Sequence, residues 1–148
     1  IFSHLETNVA VFKDVGIRYF REILVVVDQG THDETLVKMA DQIAVRPGRP
    51  SRFNGVITIA SHLESEADEE AVQAHLKELS TLCEAETRTL IATGPDQVND
   101  WIAQSASFDL MLIEEPPYEH FYSGMMRRTA ERITGKASCS VLRLRIPQ

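Results

Sequence analysis

The sequence predicts an α/β domain built on a doubly wound, five-stranded parallel sheet with four helices. Apolar, β-branched runs alternate four times with amphipathic segments, and the alternation finishes on a strand. Right-handed crossovers between such units require a parallel sheet that carries helices on both faces. The length of 148 residues and the hydrophobic fraction of 43% suit one globular domain with a single core.

Five segments have the composition of strands. The first, Glu22–Asp28, is an unbroken apolar run of the kind found in strands that are covered on both faces. The last, Ser140–Ile146, alternates arginines with leucines, so we expect it to have one buried face and to lie at an edge of the sheet. The five segments are Glu22–Asp28, Asn54–Ser61, Thr87–Thr93, Phe108–Glu114 and Ser140–Ile146.

Four helical segments lie between these strands. The first is predicted over His32–Val45, with Thr31 as its N-cap and Glu34 as the capping-box partner. The other three carry apolar residues at helical spacing within residues 71–82, 98–105 and 125–134.

The first 20 residues show no clear pattern beyond a short extended piece, and we interpret 1–20 as a leader or linker that precedes a domain over 21–148. Because the chain begins with Ile1 rather than methionine, we expect it to be part of a longer protein.

Composition excludes several classes of function. A net charge of −7 lacks the basic footprint of nucleic-acid-binding domains, so we expect no nucleic-acid partner. No apolar run reaches the length of a membrane span, and no signal peptide is evident. Cys83 and Cys139 show no metal-ligand spacing with histidine, which favours two reduced thiols, a cytoplasmic location and no metal site. The sequence contains no nucleophile elbow, so we assign no catalytic residue and expect no enzyme.

Three stretches, in this order and spacing, resemble the universal stress protein family. Arg21–Asp28 is similar to the family's first strand, which ends in an aspartate beside the adenine pocket, and Phe108–Ile113 is similar to its fourth strand. Ala130–Ile133 followed by Ser138–Arg145 resembles the last helix and strand. The resemblance covers about residues 21–145. It implies an adenine nucleotide alpha hydrolase-like fold with the five strands in the order 3-2-1-4-5.

The family's ATP-binding glycine motif falls on positions that hold other residues here. Its four positions correspond to Glu114, Pro117, Arg127 and Arg128. Glycines at such positions let backbone N–H groups approach a phosphate, whereas Pro117 has no N–H and Glu114 carries a charge that repels phosphate. We therefore expect the triphosphate grip to be absent and ATP not to be a cofactor.

A degenerate pocket could still bind an altered nucleotide or another anion. Arg127 and Arg128 fall in the first turn of the last predicted helix, where they could hold a carboxylate or phosphate, or could be solvated or paired with nearby glutamates. Asp28, Gln29 and Gly30 follow the first strand, at the edge where such sheets bind ligands. Asp28 could equally serve only to hold the turn.

Two functions of different class stay open. The first is a non-catalytic regulatory or interaction domain on the cytoplasmic face of a membrane transporter, since universal-stress-like domains are appended to cation–proton antiporters, amino-acid permeases and chloride channels. The second is a stand-alone universal stress protein with an altered nucleotide or anion site. The resemblance also implies a homodimer in which two copies of the last strand pair antiparallel, with Val141, Arg143 and Arg145 near the seam.

Overall fold

A six-stranded sheet forms the centre of the computed structural model, which describes residues 9–14, 16, 20–63, 68–115 and 123–146. Side chains are described over these ranges except for 9–11 and 123–129. The strands are β1 (Val9–Lys13), β2 (Glu22–Val26), β3 (Val56–Leu63), β4 (Thr87–Thr93), β5 (Leu110–Glu114) and β6 (Ser140–Arg145). The helices are α1 (Asp33–Ala44), α2 (Glu69–Ser80), α3 (Gln97–Gln104) and α4 (Ser123–Lys136).

The strand order is β1-β6-β5-β2-β3-β4, and the five strands from β2 to β6 are mutually parallel. Their arrangement confirms the predicted order 3-2-1-4-5 and the α/β fold class. Alternate residues of the central strand β2 face opposite sides of the sheet. Ile23 and Val25 pack with α1 and α2, whereas Leu24 packs with α3 and α4, and all three are fully buried. The unbroken apolar run of this strand is therefore explained by helices on both faces.

The predicted count of five strands is wrong by one. β1 lies within the segment that we interpreted as a leader, and it pairs antiparallel with β6, placing Val9 opposite Arg145 and Lys13 opposite Val141. The Lys13 Nζ also donates a hydrogen bond of 3.0 Å to the carbonyl oxygen of Ala137, just after α4. An antiparallel strand thus closes one side of an otherwise parallel sheet.

The prediction that Ser140–Ile146 is an edge strand is also wrong. β6 has β5 on one side and β1 on the other, and Val141 is fully buried. Arg143 and Arg145 are partly buried rather than open at a seam. The Arg143 Nη1 lies 3.9 Å from the Oε1 of Glu115, a carboxylate that is itself buried. The alternation of arginines with apolar residues along β6 therefore does not indicate an open edge of the sheet. Arg143 is accommodated inside the sheet because it pairs with Glu115.

The helix after β2 begins one residue later than predicted. Asp33 is its first residue, and His32 occupies the N-cap position without a side-chain capping bond. Thr31 is therefore not the N-cap, and the predicted capping box is wrong. The His32 ring contacts Glu114 instead, across to the neighbouring strand β5.

Both cysteines are free thiols. Burial, reinforced by the charge of Asp41, raises the pKa of Cys83 to about 11, and burial raises the pKa of Cys139 to about 11. Such thiols stay protonated at neutral pH, which agrees with a structural role. Among the residues with described placement, no helix is both long and apolar enough to cross a membrane.

Candidate functional site

The order of the strands reverses between β2 and β5, so their carboxyl ends form the switch point at which folds of this kind bind ligands. Asp28 follows β2 by two residues, and Glu114 is the last residue of β5. Asp33 opens the helix that leaves β2. The elements therefore bring three carboxylates to one edge of the sheet.

The turn that follows β2 is held by the predicted residues. The Asp28 carboxylate accepts a hydrogen bond of 3.0 Å from the Gly30 N–H, and the Gln29 Nε2 donates one of 3.0 Å to the hydroxyl of Ser61 on β3. Gln29 has a φ of 61°, in the left-handed region. A Cβ on Gly30 would lie 2.7 Å from Asp28 Oδ1, so any larger residue there would displace the Asp28 carboxylate from its bond with the Gly30 N–H. Asp28 thus holds this turn, and a ligand role for it stays a prediction.

Glu114 is paired with a histidine. The Nδ1 of His32 lies 2.6 Å from Oε1 of Glu114, and both side chains are largely buried. One proton must lie between these two atoms, because their lone pairs would otherwise repel each other. Burial raises the pKa of Glu114, and the charges of Asp28 and Asp33 raise it further against the lowering effect of the hydrogen bond from His32.

Asp33 is held in the same manner by α2. The Nε2 of His75 lies 2.8 Å from its Oδ2, while its Oδ1 is buried with no hydrogen-bond partner in the described part of the chain. Only 1% of the Asp33 side chain is exposed. Burial raises its pKa, and so does the charge of Asp28, whereas His75 and a hydrogen bond with the backbone of Asp28 lower it.

A third histidine–carboxylate pair lies at the same edge but outside the switch point. The Nε2 of His62, on β3, is 3.2 Å from the Oδ2 of Asp100 on α3. The His62 ring also meets Trp101 edge to face, with 6.3 Å between ring centroids. Every histidine whose side chain is described therefore contacts a carboxylate on another element.

The structure brings some of the predicted site residues together. Asp28, Gln29, Gly30 and Glu114 lie at the switch point, while Val141, Arg143 and Arg145 lie on β6 as described above. Pro117 lies outside the described residues. Arg127 and Arg128 belong to α4, but their side chains are outside the described ones, so their anion-binding role stays a prediction.

Sequence reasoning missed three residues of the site: His32, Asp33 and His75. The signal that could have found two of them is their position, because His32 and Asp33 directly follow the turn after β2. No group of three or more described His, Cys, Asp or Glu side chains has the arrangement of a metal site. With neutral histidines, the described side chains at the switch point carry three negative charges, which is unfavourable for a phosphate.

Replacing Glu114 by glutamine is expected to stabilise the fold at pH 8. The raised pKa of Glu114 means that its ionised form disfavours folding, so the penalty is present above the folded-state pKa and absent below the ordinary value of 4.5. Urea denaturation of Glu114→Gln should therefore show a higher midpoint than the unchanged protein at pH 8 and an equal one below about pH 4. The exposed Glu78→Gln is the control and should match the unchanged protein at both values. A lower midpoint for Glu114→Gln at pH 8 would contradict the assigned environment.

Neither a protein-family model nor a curated protein sequence matches this chain. Solved structures do superpose on it. A universal stress protein in complex with cAMP has a TM-score of 0.65 and 16% identity, and the match covers 88% of this chain and 98% of that chain. A universal stress protein from Lactobacillus plantarum has a TM-score of 0.57 and 16% identity, covering 87% of this chain and 100% of that one. For a protein of the universal stress protein family from Burkholderia pseudomallei the TM-score is 0.56, the identity 16%, and the coverage 86% and 96%. Identities this low establish the fold alone. The chain therefore has the α/β fold found in universal stress proteins.

Proposed function

We propose that this chain is a regulatory domain of the universal stress protein type that does not use ATP. The observation that carries the proposal is the environment of Glu114. By the resemblance to the family, this carboxylate occupies the position of the first glycine of the ATP-binding motif. It is paired with His32, and it lies near the carboxylates of Asp28 and Asp33. Mg-ATP would add about two net negative charges at pH 7 to a site lined by three carboxylates, and the repulsion at contact distance amounts to several kcal/mol at an effective dielectric constant of about 20.

Titration calorimetry with Mg-ATP tests this proposal directly. We expect a Kd of about 1 mM or weaker, which is about 4 kcal/mol less favourable than a micromolar site. The control is Glu114→Gln, which removes one of the opposing charges and leaves Pro117 in place; its affinity for ATP should rise only slightly. Micromolar binding by the unchanged protein would contradict the proposal.

The regulatory role that we propose is that of a cytoplasmic domain attached to a membrane transporter of the cation–proton antiporter, amino-acid permease or chloride channel type. Its support is the resemblance to the universal stress protein family, whose domains occur appended to such transporters. The absence from the sequence of a nucleophile elbow underlies the separate proposal that the chain is not an enzyme. The complete open reading frame distinguishes this role from a stand-alone protein, because only the first requires hydrophobic spans in the same polypeptide.

The second candidate is a stand-alone stress protein that binds a nucleotide in an altered way. One observation favours it: a structure with the same fold, at a TM-score of 0.65, is a complex with cAMP. cAMP carries one negative charge rather than the roughly two of Mg-ATP, so the carboxylates of the switch point oppose it less. Titration with cAMP alongside ATP separates the two candidates, since micromolar binding of cAMP alone favours the altered nucleotide site.

A homodimer stays part of the proposal, but its seam must differ from the predicted one. β1 occupies the side of β6 at which Val141–Ile146 was expected to meet its copy. In the described sheet the outer side of β1 has no neighbouring strand, so β1 is the strand that a second copy could join.

A further inference from the structure

We propose that the switch point is a proton-binding site, formed by Asp28, Asp33 and Glu114 together with His32 and His75. The proton is thus the ligand of the site described above. A regulatory role for proton binding rests on the proposed function, whereas proton binding itself depends only on the arrangement of these five side chains.

The two histidine–carboxylate pairs are joined through the start of α1. His32 reaches β5 through its 2.6 Å contact with Glu114, and the adjacent Asp33 reaches α2 through its 2.8 Å contact with His75. One helix end is therefore tied to two other elements by bonds whose strength depends on protonation. Protonation of Asp33 and of Glu114 is coupled, because the charge of Asp33 acts on Glu114 and the charge of Asp28 acts on both.

The charge of Asp33 is only partly compensated. Among the described residues its buried Oδ1 makes no hydrogen bond of good geometry, although the Asp28 backbone helps to stabilise the ionised carboxylate. A buried carboxylate that is incompletely hydrogen-bonded is costly to ionise. No group of three or more described His, Cys, Asp or Glu side chains is arranged to hold a metal ion that could compensate this charge. A proton on Oδ1 would remove the charge and leave Oδ2 able to accept from His75, in a weaker, neutral hydrogen bond. A proton is therefore the cation that fits this position.

The described charged groups around the site come from each element that packs against it. β2 contributes Asp28 through the turn that follows it, and α1 contributes Asp33 together with its N-cap residue His32. α2 contributes His75, and β5 contributes Glu114. β3 contributes only the neutral hydroxyl of Ser61, through Gln29.

The side chains at the start of α4, which include Arg127 and Arg128, lie outside the described ones. With neutral histidines and ionised carboxylates the described groups sum to a charge of −3, and each proton taken up by Asp33 or Glu114 makes this sum one unit less negative. Proton uptake therefore makes the site less repulsive to an anion.

Carbon-13 NMR of the Asp and Glu carboxyl groups, recorded without nucleotide at low salt, measures protonation at the site. We expect the carboxyls of Asp33 and Glu114 to take up protons above their ordinary values of 3.8 and 4.5. Asp28→Asn removes a charge that raises the proton affinity of both, so both should titrate at lower pH, with at least about a twofold loss of affinity. Because Asp28 is exposed and the amide oxygen of asparagine can still accept from Gly30, this variant is expected to fold.

Two further variants make the result decisive. Asp33→Asn should also lower the pH at which Glu114 titrates, because the charge of Asp33 contributes to its raised pKa. Glu86→Gln removes an exposed carboxylate that precedes β4 and should change neither Asp33 nor Glu114. The proposal is overturned if both carboxyls titrate at or below their ordinary values, or if folded Asp28→Asn leaves both unchanged.

The outcome is independent of the ATP titration. Tight ATP binding together with coupled, raised carboxyl titrations would overturn the proposed function and leave the proton site standing. Weak ATP binding with ordinary, uncoupled carboxyls would do the reverse.

Discussion

Replacement of Trp101 by alanine is expected to lower the free energy of unfolding by about 3–5 kcal/mol, the range for large aromatic residues truncated in a core. Trp101 is 1% exposed and belongs to the core between the sheet and the second helix layer, together with Ala130 and Ile133 of α4. The change would leave a large cavity between α3, α4 and the sheet. Circular dichroism under urea is the appropriate measurement, because Trp101 is the only tryptophan and its fluorescence is lost with it.

Two matched variants test whether the lower free energy of unfolding comes from removing a buried ring. Trp101→Phe retains most of the buried ring, and since the Nε1 has no hydrogen-bond partner in the described structure, it should cost clearly less than the alanine change. Phe53→Ala removes an aromatic ring that is 46% exposed and lies under Arg52, so it should cost less than about 1 kcal/mol. Equal losses for Trp101→Ala and Phe53→Ala would contradict the position assigned to the tryptophan.

Removal of residues 1–13 is the second change with a large expected effect. It deletes β1 and with it the antiparallel ladder to β6 and the bond from Lys13 to the carbonyl of Ala137. At about 0.5–1.5 kcal/mol net for each hydrogen bond, the loss should amount to about 2–4 kcal/mol. The truncated protein should also associate with itself, because the edge of β6 would be left unpaired and open strand edges pair with other chains. We expect light scattering to show dimers or larger species that grow with protein concentration.

The matched control for this truncation removes only residues 1–8. It leaves β1 complete, so its urea midpoint should lie above that of the longer truncation, and the growth of species with protein concentration should be absent. If removal of residues 1–13 changes neither quantity, β1 does not contribute to the fold as its register with β6 implies.

The central part of the fold could be predicted because it depends on local patterns. An unbroken apolar run such as β2 can only be satisfied between two helix layers, and the helical spacing of apolar residues within 98–105 agrees with the burial of Trp101. The prediction that β6 is an edge strand failed for a physical reason. A two-residue period of apolar side chains indicates which face of a strand is buried, and it does not indicate which strands lie beside it in the sheet. Arg143 alternates with apolar residues, yet its partner is the buried Glu115.

The candidate site was only partly predictable for a related reason. Asp28 and Glu114 could be located from the ends of their strands, because topology alone brings those ends together. The histidine pairs could not be, since His32 and Glu114 are 82 positions apart and Asp33 and His75 are 42 apart. Whether two such side chains meet depends on rotamers and on the exact placement of helices, which hydrophobic periodicity does not fix.

The antiparallel direction of β1 determines which part of the sheet a mechanical force applied ahead of β1 would reach. Since Val9 lies opposite Arg145, the chain enters β1 and leaves β6 at the same end of the sheet, the end that carries Asp28 and Glu114. Ala10, Leu144 and Glu114 follow one another directly across β1, β6 and β5. Two strand spacings, about 10 Å, therefore separate the entry of the chain from the carboxylate that His32 binds. Tension or rotation applied to a polypeptide joined ahead of β1 would be transmitted sideways along this row of hydrogen-bonded backbone, directly to the floor of the site.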